Sequence, residues 1–292
     1  MDTRGDQPNT EAKFEVSKTA KPVTAVKYVT SQPTFWQKQG CGTRKTPLTK
    51  NECSAIFLTP EDIQKAEQRS DINQIKTVST RERWLNKVLE KHVKQMNYKQ
   101  VVILGAGFDI RAFKKNLTNQ KDKKNAEIYS QVKYWEIDKK EILDEKEQIF
   151  KSKGFDKNAT YIRADYTKEN FIEKLIAADI KLDMPTLIIW EGNLMYLEKQ
   201  QVIEVINNIK ASFINFTIAF DYLTQSHIDT LDSKSPLKKM WKTGIDDIKQ
   251  FAGQHGLSIT SIRNIAALEI EYEVDSQPSK RAEQYSVCAL KR

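Results

Sequence analysis

The chain has 292 residues, 47 Lys and Arg against 39 Asp and Glu, and a formal charge of +8. With 39% apolar residues, 12 Phe, 10 Tyr and 5 Trp, it has enough side chain to bury for a sizeable core, which excludes disordered and low-complexity classes. No apolar run approaches the ~20 residues of a spanning helix, the N-terminal stretch lacks the apolar segment of a secretory signal, and the three cysteines make neither a CxxC pair nor a disulfide framework, so a cytoplasmic protein with reduced thiols is expected.

Residues 1–20 are polar and aperiodic and read as a flexible tail. Residues 21–79 carry aromatic islands (Tyr28, Phe35, Trp36, Phe57), a loop at Gln39-Gly40-Cys41-Gly42-Thr43, and a helix start at Thr59-Pro60-Glu61-Asp62. They are expected to form a small, mostly helical cap. Ser79 or Thr80 can cap a helix on which Trp84, Leu85, Val88, Leu89, His92 and Val93 recur at helical spacing. Val101–Leu104, ending in Gly105-Ala106-Gly107, reads as a buried parallel strand. Further strands are expected at 132–137, 160–163, 186–190 and 213–220, separated by helices at 139–152, 168–179 and 198–210. After residue 221 come a polar segment, a helix near 244–254, and two strands at about 257–263 and 283–290. The repeated βα pattern implies a parallel sheet covered on both faces.

The turn after the first strand can hold a nucleoside against the backbone. In Gly105-Ala106-Gly107-Phe108-Asp109-Ile110 the third glycine of a dinucleotide fingerprint is replaced by Ile110, no GK[ST] follows, and Asp109 would repel a pyrophosphate. A ligand without phosphates, such as a nucleoside sulfonium, fits better. The second strand ends in Trp135-Glu136-Ile137-Asp138, where an acid can accept both hydroxyls of a ribose cis-diol. Glu136 and Asp138 alternate onto the same side, and Asp138 is the better placed. Asp165, followed by Tyr166, can meet an adenine amino group or cap the next helix. Glu191 ends an apolar strand and needs a cationic partner, either a ligand ammonium or a nearby Lys or Arg. The lysines are scattered (Lys121, Lys123 and Lys124; Lys139 and Lys140; Lys238 and Lys239), as on a solvated surface, so nucleic acid is not the expected partner.

These segments, in order, resemble the leucine carboxyl methyltransferase family, including its bacterial polyketide O-methyltransferase relatives. The segments that carry the resemblance are Arg81-Glu82-Arg83-Trp84-Leu85, Gln100 to Ala112, Tyr134 to Asp138, Ala164-Asp165-Tyr166 and Pro185 to Leu197, so that it spans residues 80 to 222. The resemblance implies an α/β fold of the class I S-adenosylmethionine (SAM) methyltransferase type, Rossmann-like, with a seven-stranded, mostly parallel sheet, a reversed last strand and an N-terminal helical cap. It implies a methyltransferase domain over 80–292 with a substrate lid near 222–245. By the same resemblance SAM is the cofactor, bound by Arg81 (its carboxylate), by the turn of Gly105 and Gly107, by Asp138 (the ribose), by Asp165 (adenine) and by Glu191 (the amino group); Ala106, Asp109, Tyr166 and Glu136, the last equally readable as an edge or helix-start acid, are further candidate cofactor contacts. Tyr196, Asp221 and Tyr222 fall where the family lines its acceptor pocket, and Asn86 stands where it usually has Asp.

A carboxylate acceptor, with a pKa near 4, is ionised at neutral pH and needs no general base. A phenol would need one, and Asp221, Tyr196 or Tyr222 are then the candidates. His92, His227 and His255 form no triad and no metal-spaced ligand set. The expected partner is thus an acceptor bearing a carboxylate, on a small molecule or a protein C-terminus, with no membrane and no metal involved. A phenol-directed O-methyltransferase, a non-catalytic nucleoside-binding module, an RNA methyltransferase and an NAD oxidoreductase are the other readings weighed.

Overall fold

The computed structural model describes residues 20–38, 52–68, 71–114 and 123–292. Of the tail expected over 1–20, residues 1–19 lie outside the described residues, as does the loop expected at 39–43, while Ala20 already opens the first helix. The cap consists of helices α1 (Ala20–Thr30) and α2 (Pro33–Lys38), a 3-10 turn (Glu52–Phe57) and α3 (Pro60–Glu67). Helix α3 begins as the sequence suggests: Pro60 takes the first turn, and Thr59 and Asp62 exchange hydrogen bonds in a capping box.

The next helix, α4 (Ile72–Glu90), starts a full two turns before the expected Ser79 or Thr80. Its cap is Asp71, whose Oδ1 accepts from the Gln74 amide at 3.0 Å. Ser79 and Thr80 are buried mid-helix, Ser79 donating back to Ile75 O at 2.9 Å. The helix therefore runs unbroken across residues 79 and 80, where the sequence reading separates cap from main domain.

The remaining elements are β1 (Gln100–Leu104), α5 (Arg111–Lys114), α6 (Lys123–Ser130), β2 (Lys133–Asp138), α7 (Lys140–Ser152), β3 (Thr160–Arg163), α8 (Phe171–Ala177), β4 (Thr186–Trp190), a 3-10 turn (Leu194–Tyr196), α9 (Lys199–Ser212), β5 (Phe216–Leu223), α10 (Gln225–Thr230), α11 (Pro236–Met240), α12 (Ile248–Gln254), β6 (Ser258–Asn264), α13 (Ile265–Glu271), α14 (Lys280–Glu283) and β7 (Tyr285–Lys291). They build one seven-stranded sheet in the order β3-β2-β1-β4-β5-β7-β6. The first five strands pair in parallel, and β7 runs antiparallel between β5 and β6. This is the mostly parallel sheet with a reversed last strand that the family resemblance implies. Strand β5 is displaced from the expected 213–220, because Phe213 caps the end of α9 instead of opening the strand.

Alternation divides the core. Val101 and Ile103 of β1 and Leu187 and Ile189 of β4 join the cluster under the cap and α4, while Val102, Leu104, Ile188 and Trp190 join the cluster under α8 and α9. On β5 this parity sends Asp221 toward α4 and Tyr222 into the opposite cluster. Among the described residues no helix is long and apolar enough to cross a membrane.

Where α13 meets α4, Glu269 is buried against Thr77 (3.4 Å) beside the Lys76–Asp275 ion pair (2.7 Å). Burial, helped by Asp275, pushes its carboxyl up to about 7. A raised carboxyl keeps a proton on folding that the unfolded chain releases, so this site costs stability progressively as pH rises from about 4.5 to 7. Glu269→Gln should therefore melt like the wild type at pH 5 and be about 2–3 kcal/mol more stable at pH 8. Denaturant unfolding at the two pH values checks this, and an equal effect at both refutes it.

Candidate active site

The carboxyl ends of β1 to β4 open into a cavity of about 370 Å³, whose opposite wall is α1 and α4. The turn after β1 forms its floor. Gly105 has φ +63°, and a Cβ there would lie 2.4 Å from Asn193 Nδ2. Asn193 is itself fixed, since its Nδ2 donates to Glu191 O (2.7 Å) and Gly105 O (3.2 Å). Gly107, at φ +49°, donates its N–H to Asp138 Oδ2 at 2.7 Å, while Lys139 N donates to Oδ1 at 2.7 Å. Burial raises the Asp138 carboxyl above its ordinary value against those two hydrogen bonds. Each of its oxygens still has a lone pair to offer.

Asp165 lines the same rim. Burial would raise its carboxyl, but two hydrogen bonds from Thr167, through the hydroxyl (2.6 Å) and the amide (3.2 Å), hold it below the ordinary value. The helix that follows is capped by Asn170, which leaves Asp165 at the cavity. Tyr166 also lines the cavity, its hydroxyl accepting from Trp190 Nε1 at 3.1 Å.

Glu191, just beyond β4, meets three cations: Lys27 Nζ of α1 at 2.8 Å, Arg81 Nε of α4 at 3.2 Å and Arg111 Nη2 of α5 at 2.6 Å. Burial alone would raise this carboxyl, and Lys27, Arg111 and Arg81 together hold it well below the usual carboxylate range. Arg111 also pairs with Asp109 and donates to Asn86 Oδ1 at 2.8 Å, so the neutral Asn86 serves as an acceptor where the family's Asp would add charge. Arg81 Nη1 donates to Tyr285 Oη (2.8 Å) and Asp221 Oδ2 (3.2 Å), and Tyr285 donates to the same carboxylate. Asp221 Oδ1 accepts from Gly192 N at 2.6 Å.

Arg81, Gly105, Ala106, Gly107, Asp109, Asp138, Asp165, Tyr166, Glu191 and Tyr196 thus all line one cavity. Three expected residues do not. Glu136 is buried two residues inside the sheet rim against Lys146 Nζ (2.5 Å), under α7, and burial pushes its carboxyl up to about 7. Lys146 also donates to Asp109 O at 2.5 Å, so this pair supports the glycine turn from behind instead of facing a ligand. Asp221 is fully buried behind Arg81 and orients it. Tyr222 faces the other core cluster, beside Phe220.

Lys27 and Tyr285 escape the sequence reading, since only the fold brings them to the cavity, and Asn193 lies within the matching segment Pro185 to Leu197 but without a role assigned there. Arg111 was visible within the matching segment but without a role. No histidine lines the cavity among the described residues; His92, for example, is bonded to Val88 O at 2.8 Å.

A parallel sheet with a reversed last strand, carrying a glycine turn, two strand-end acids and a mixed-charge cluster at its carboxyl edge, defines a methyltransferase of the class I fold. The leucine carboxyl methyltransferase family matches residues 43–210, more than half of the chain, and this chain belongs to that family. It is an enzyme, an S-adenosylmethionine-dependent methyltransferase. A proposed methyltransferase from Thermobifida fusca YX superposes with a TM-score of 0.52 at 14% identity, covering 82% of this chain and 92% of its own. A DUF574 family protein from Streptomyces avermitilis MA-4680 superposes with a TM-score of 0.54 at 10% identity, covering 91% of this chain and 99% of its own. Both likenesses bear on the fold. A comparison with curated proteins gave no match.

Proposed function

We propose that the protein transfers the methyl group of SAM to a carboxylate oxygen of its acceptor, forming a methyl ester. The observation that carries this reading is the convergence of Arg81, Lys27 and Glu191 at one end of a cavity whose rim holds Asp138 and Asp165. A zwitterion entering there offers an ammonium to Glu191 and a carboxylate to Lys27 and Arg81. The Lys27–Glu191 pair is thereby exchanged for two contacts of the same kind. The free lone pairs of Asp138 suit ribose hydroxyls, and Asp165, kept ionised by Thr167, suits an adenine amino group. The turn of Gly105 to Gly107 keeps side chains away from the ligand's path, and Asp109 fixes that turn through Arg111.

When bound, SAM supplies a methyl carbon made electrophilic by its sulfonium. An acceptor oxygen held here would bond to that carbon while the carbon–sulfur bond broke and its electron pair stayed on sulfur, and the anion and cation would become a neutral ester and a neutral thioether with no proton for the protein to move. The protein's part is to hold the oxygen in line at about 3 Å and to exclude water. A hydroxyl acceptor would need a base. Of the three candidates, Asp221 is occupied by Arg81 and Gly192 and Tyr222 faces away, which favours the carboxylate reading, while Tyr196 alone lines the cavity.

The test is transfer of labelled methyl from SAM into cell extract followed by mild base. Base-labile label supports an ester; base-stable label on every product overturns it. For the cofactor half, Asp138→Asn should weaken S-adenosylhomocysteine binding about 10- to 100-fold, or roughly 1.4–2.8 kcal/mol, by calorimetry. Wild-type affinity in a folded variant would remove Asp138 from the ribose.

A further inference from the structure

Beside the cofactor cavity lies a second hollow, of about 260 Å³, between the loop after β3 and helix α9. Tyr166, Thr167, Lys168 and Gln201 line both, so the two share one wall. That wall stands at the adenine end. Asp165 Oδ1 accepts from the Thr167 hydroxyl at 2.6 Å, so an exocyclic amine that donates to this carboxylate would stand next to Thr167, where the hollow begins.

The chemistry of the hollow comes largely from one stripe of α9. Gln201, Glu204, Val205 and Asn208 fall at spacings of three, four and seven residues from the first, and so share a face. Gln201 Oε1 accepts from Glu198 N at 2.9 Å, which leaves its amide nitrogen for a ligand. Across the hollow, Asn170 Oδ1 accepts from Glu173 N at 3.3 Å as the cap of α8, which leaves its amide nitrogen in the same state. Asn208 adds a further amide, donor and acceptor together. Glu204 Oε1 accepts from Gln200 at 3.0 Å, and its second oxygen keeps its lone pairs. Glu169 is already engaged, one oxygen by Asp165 N at 2.9 Å and the other by Lys174. Asn170, Glu204 and Asn208 are exposed, so the outer side of the hollow opens to solvent. A group that enters from the adenine end meets amides and a way out.

We propose that this hollow is a subsite for substituents on the exocyclic amine of the cofactor, and that the protein binds adenosyl ligands carrying a short hydroxylated or amide-bearing chain at that nitrogen. The inference rests on the cofactor reading above and goes beyond it. A singly substituted amine keeps one N–H for Asp165, and the substituent leaves the nitrogen on its other side. A closed wall there would reject the extra atoms by overpacking. The amides of Asn170, Gln201 and Asn208 suit a neutral group that both donates and accepts, and Glu204 disfavours an anionic one. A doubly substituted amine has no N–H left and loses Asp165.

The experiment is calorimetry on the full chain with S-adenosylhomocysteine and its N6-hydroxyethyl and N6,N6-dimethyl derivatives. The hydroxyethyl derivative should bind within about threefold of the parent, and the dimethyl derivative about tenfold or more below it. Glu204→Trp fills the hollow from an exposed helix position, where substitution rarely disturbs folding. It should weaken the hydroxyethyl derivative about tenfold or more and leave the parent unchanged. A hydroxyethyl derivative bound more than about 30-fold below the parent overturns the proposal. So does a Glu204→Trp protein that binds it as the wild type does. Undiminished binding of the dimethyl derivative places the amine away from Asp165 and overturns it too. If the parent itself does not bind the wild type, the cofactor reading falls and the subsite falls with it.

Discussion

Glu191→Gln is expected to lower stability by about 3–5 kcal/mol, the usual cost of removing one partner from a buried ionic cluster. In a chain of this size that is a fall in melting temperature of roughly 5–8 °C. The cause is the company Glu191 keeps: Lys27, Arg81 and Arg111 all converge on it. Arg81 retains Asp221 and Arg111 retains Asp109, but Lys27 loses the one ion pair it makes in the described structure and keeps only the longer-range pull of Asp109. Adding Lys27→Met should therefore restore part of the lost stability, and additive effects of the two substitutions would contradict the pairing. SAM binding should fall at least about 100-fold, because the ammonium loses its counterion. The pH dependence follows from the direction of the shift. A carboxyl held below its ordinary value contributes stability that is complete above the unfolded pKa, near 4.3, and is lost only as pH falls below it. Any loss of SAM affinity between pH 6 and 8 must then come from another group.

Gly105→Ala should abolish cofactor binding and destabilise the fold as well. Two costs combine. The backbone is left-handed at φ +63°, which costs an L-residue about 1–2 kcal/mol, and the new methyl would stand 2.4 Å from the amide of Asn193. Asn193 cannot swing away without breaking its hydrogen bonds to Glu191 O and Gly105 O, so the β1 and β4 loops must part. Gly107 is different. Its φ is +49°, yet within the protein a Cβ would meet only Ala20 at an ordinary 3.6 Å, so on stability Gly107→Ala should carry the backbone cost alone. Comparing the two variants by melting and by S-adenosylhomocysteine titration separates crowding from backbone strain, and equal losses would refute the distinction.

The strands were largely legible, because β1 and β4 are short continuous apolar runs that only a doubly covered sheet accommodates. The offset of β5 shows the limit of that signal: the apolar stretch from Phe213 serves first as the end of α9 and then as strand, and side-chain character does not change at the join. The start of α4 was misplaced because Ser79 and Thr80 look like caps, and only their burial shows them to be interior. Within the site, Asp138 and Glu136 share a parity and differ in depth. Depth is set by Lys146 of α7, which covers Glu136 and leaves Asp138 at the rim. Asp221 and Tyr222 were found as a pair, but neighbours on a strand face opposite ways, and only one can approach Arg81. Lys27 had no legible signal, since its partner Glu191 lies far along the chain and a lysine on a short helix is ordinarily surface.

The antiparallel strand β7 occupies an interior slot of the sheet, between β5 and β6, although it is the seventh in sequence. Its first residue, Tyr285, bonds Arg81 and Asp221, and Arg281 just ahead of it meets Asp71. Without β7 the edge of β5 would stand open and Arg81 and Asp221 would lack their tyrosine, so closing the sheet and completing this buried cluster are one and the same folding event.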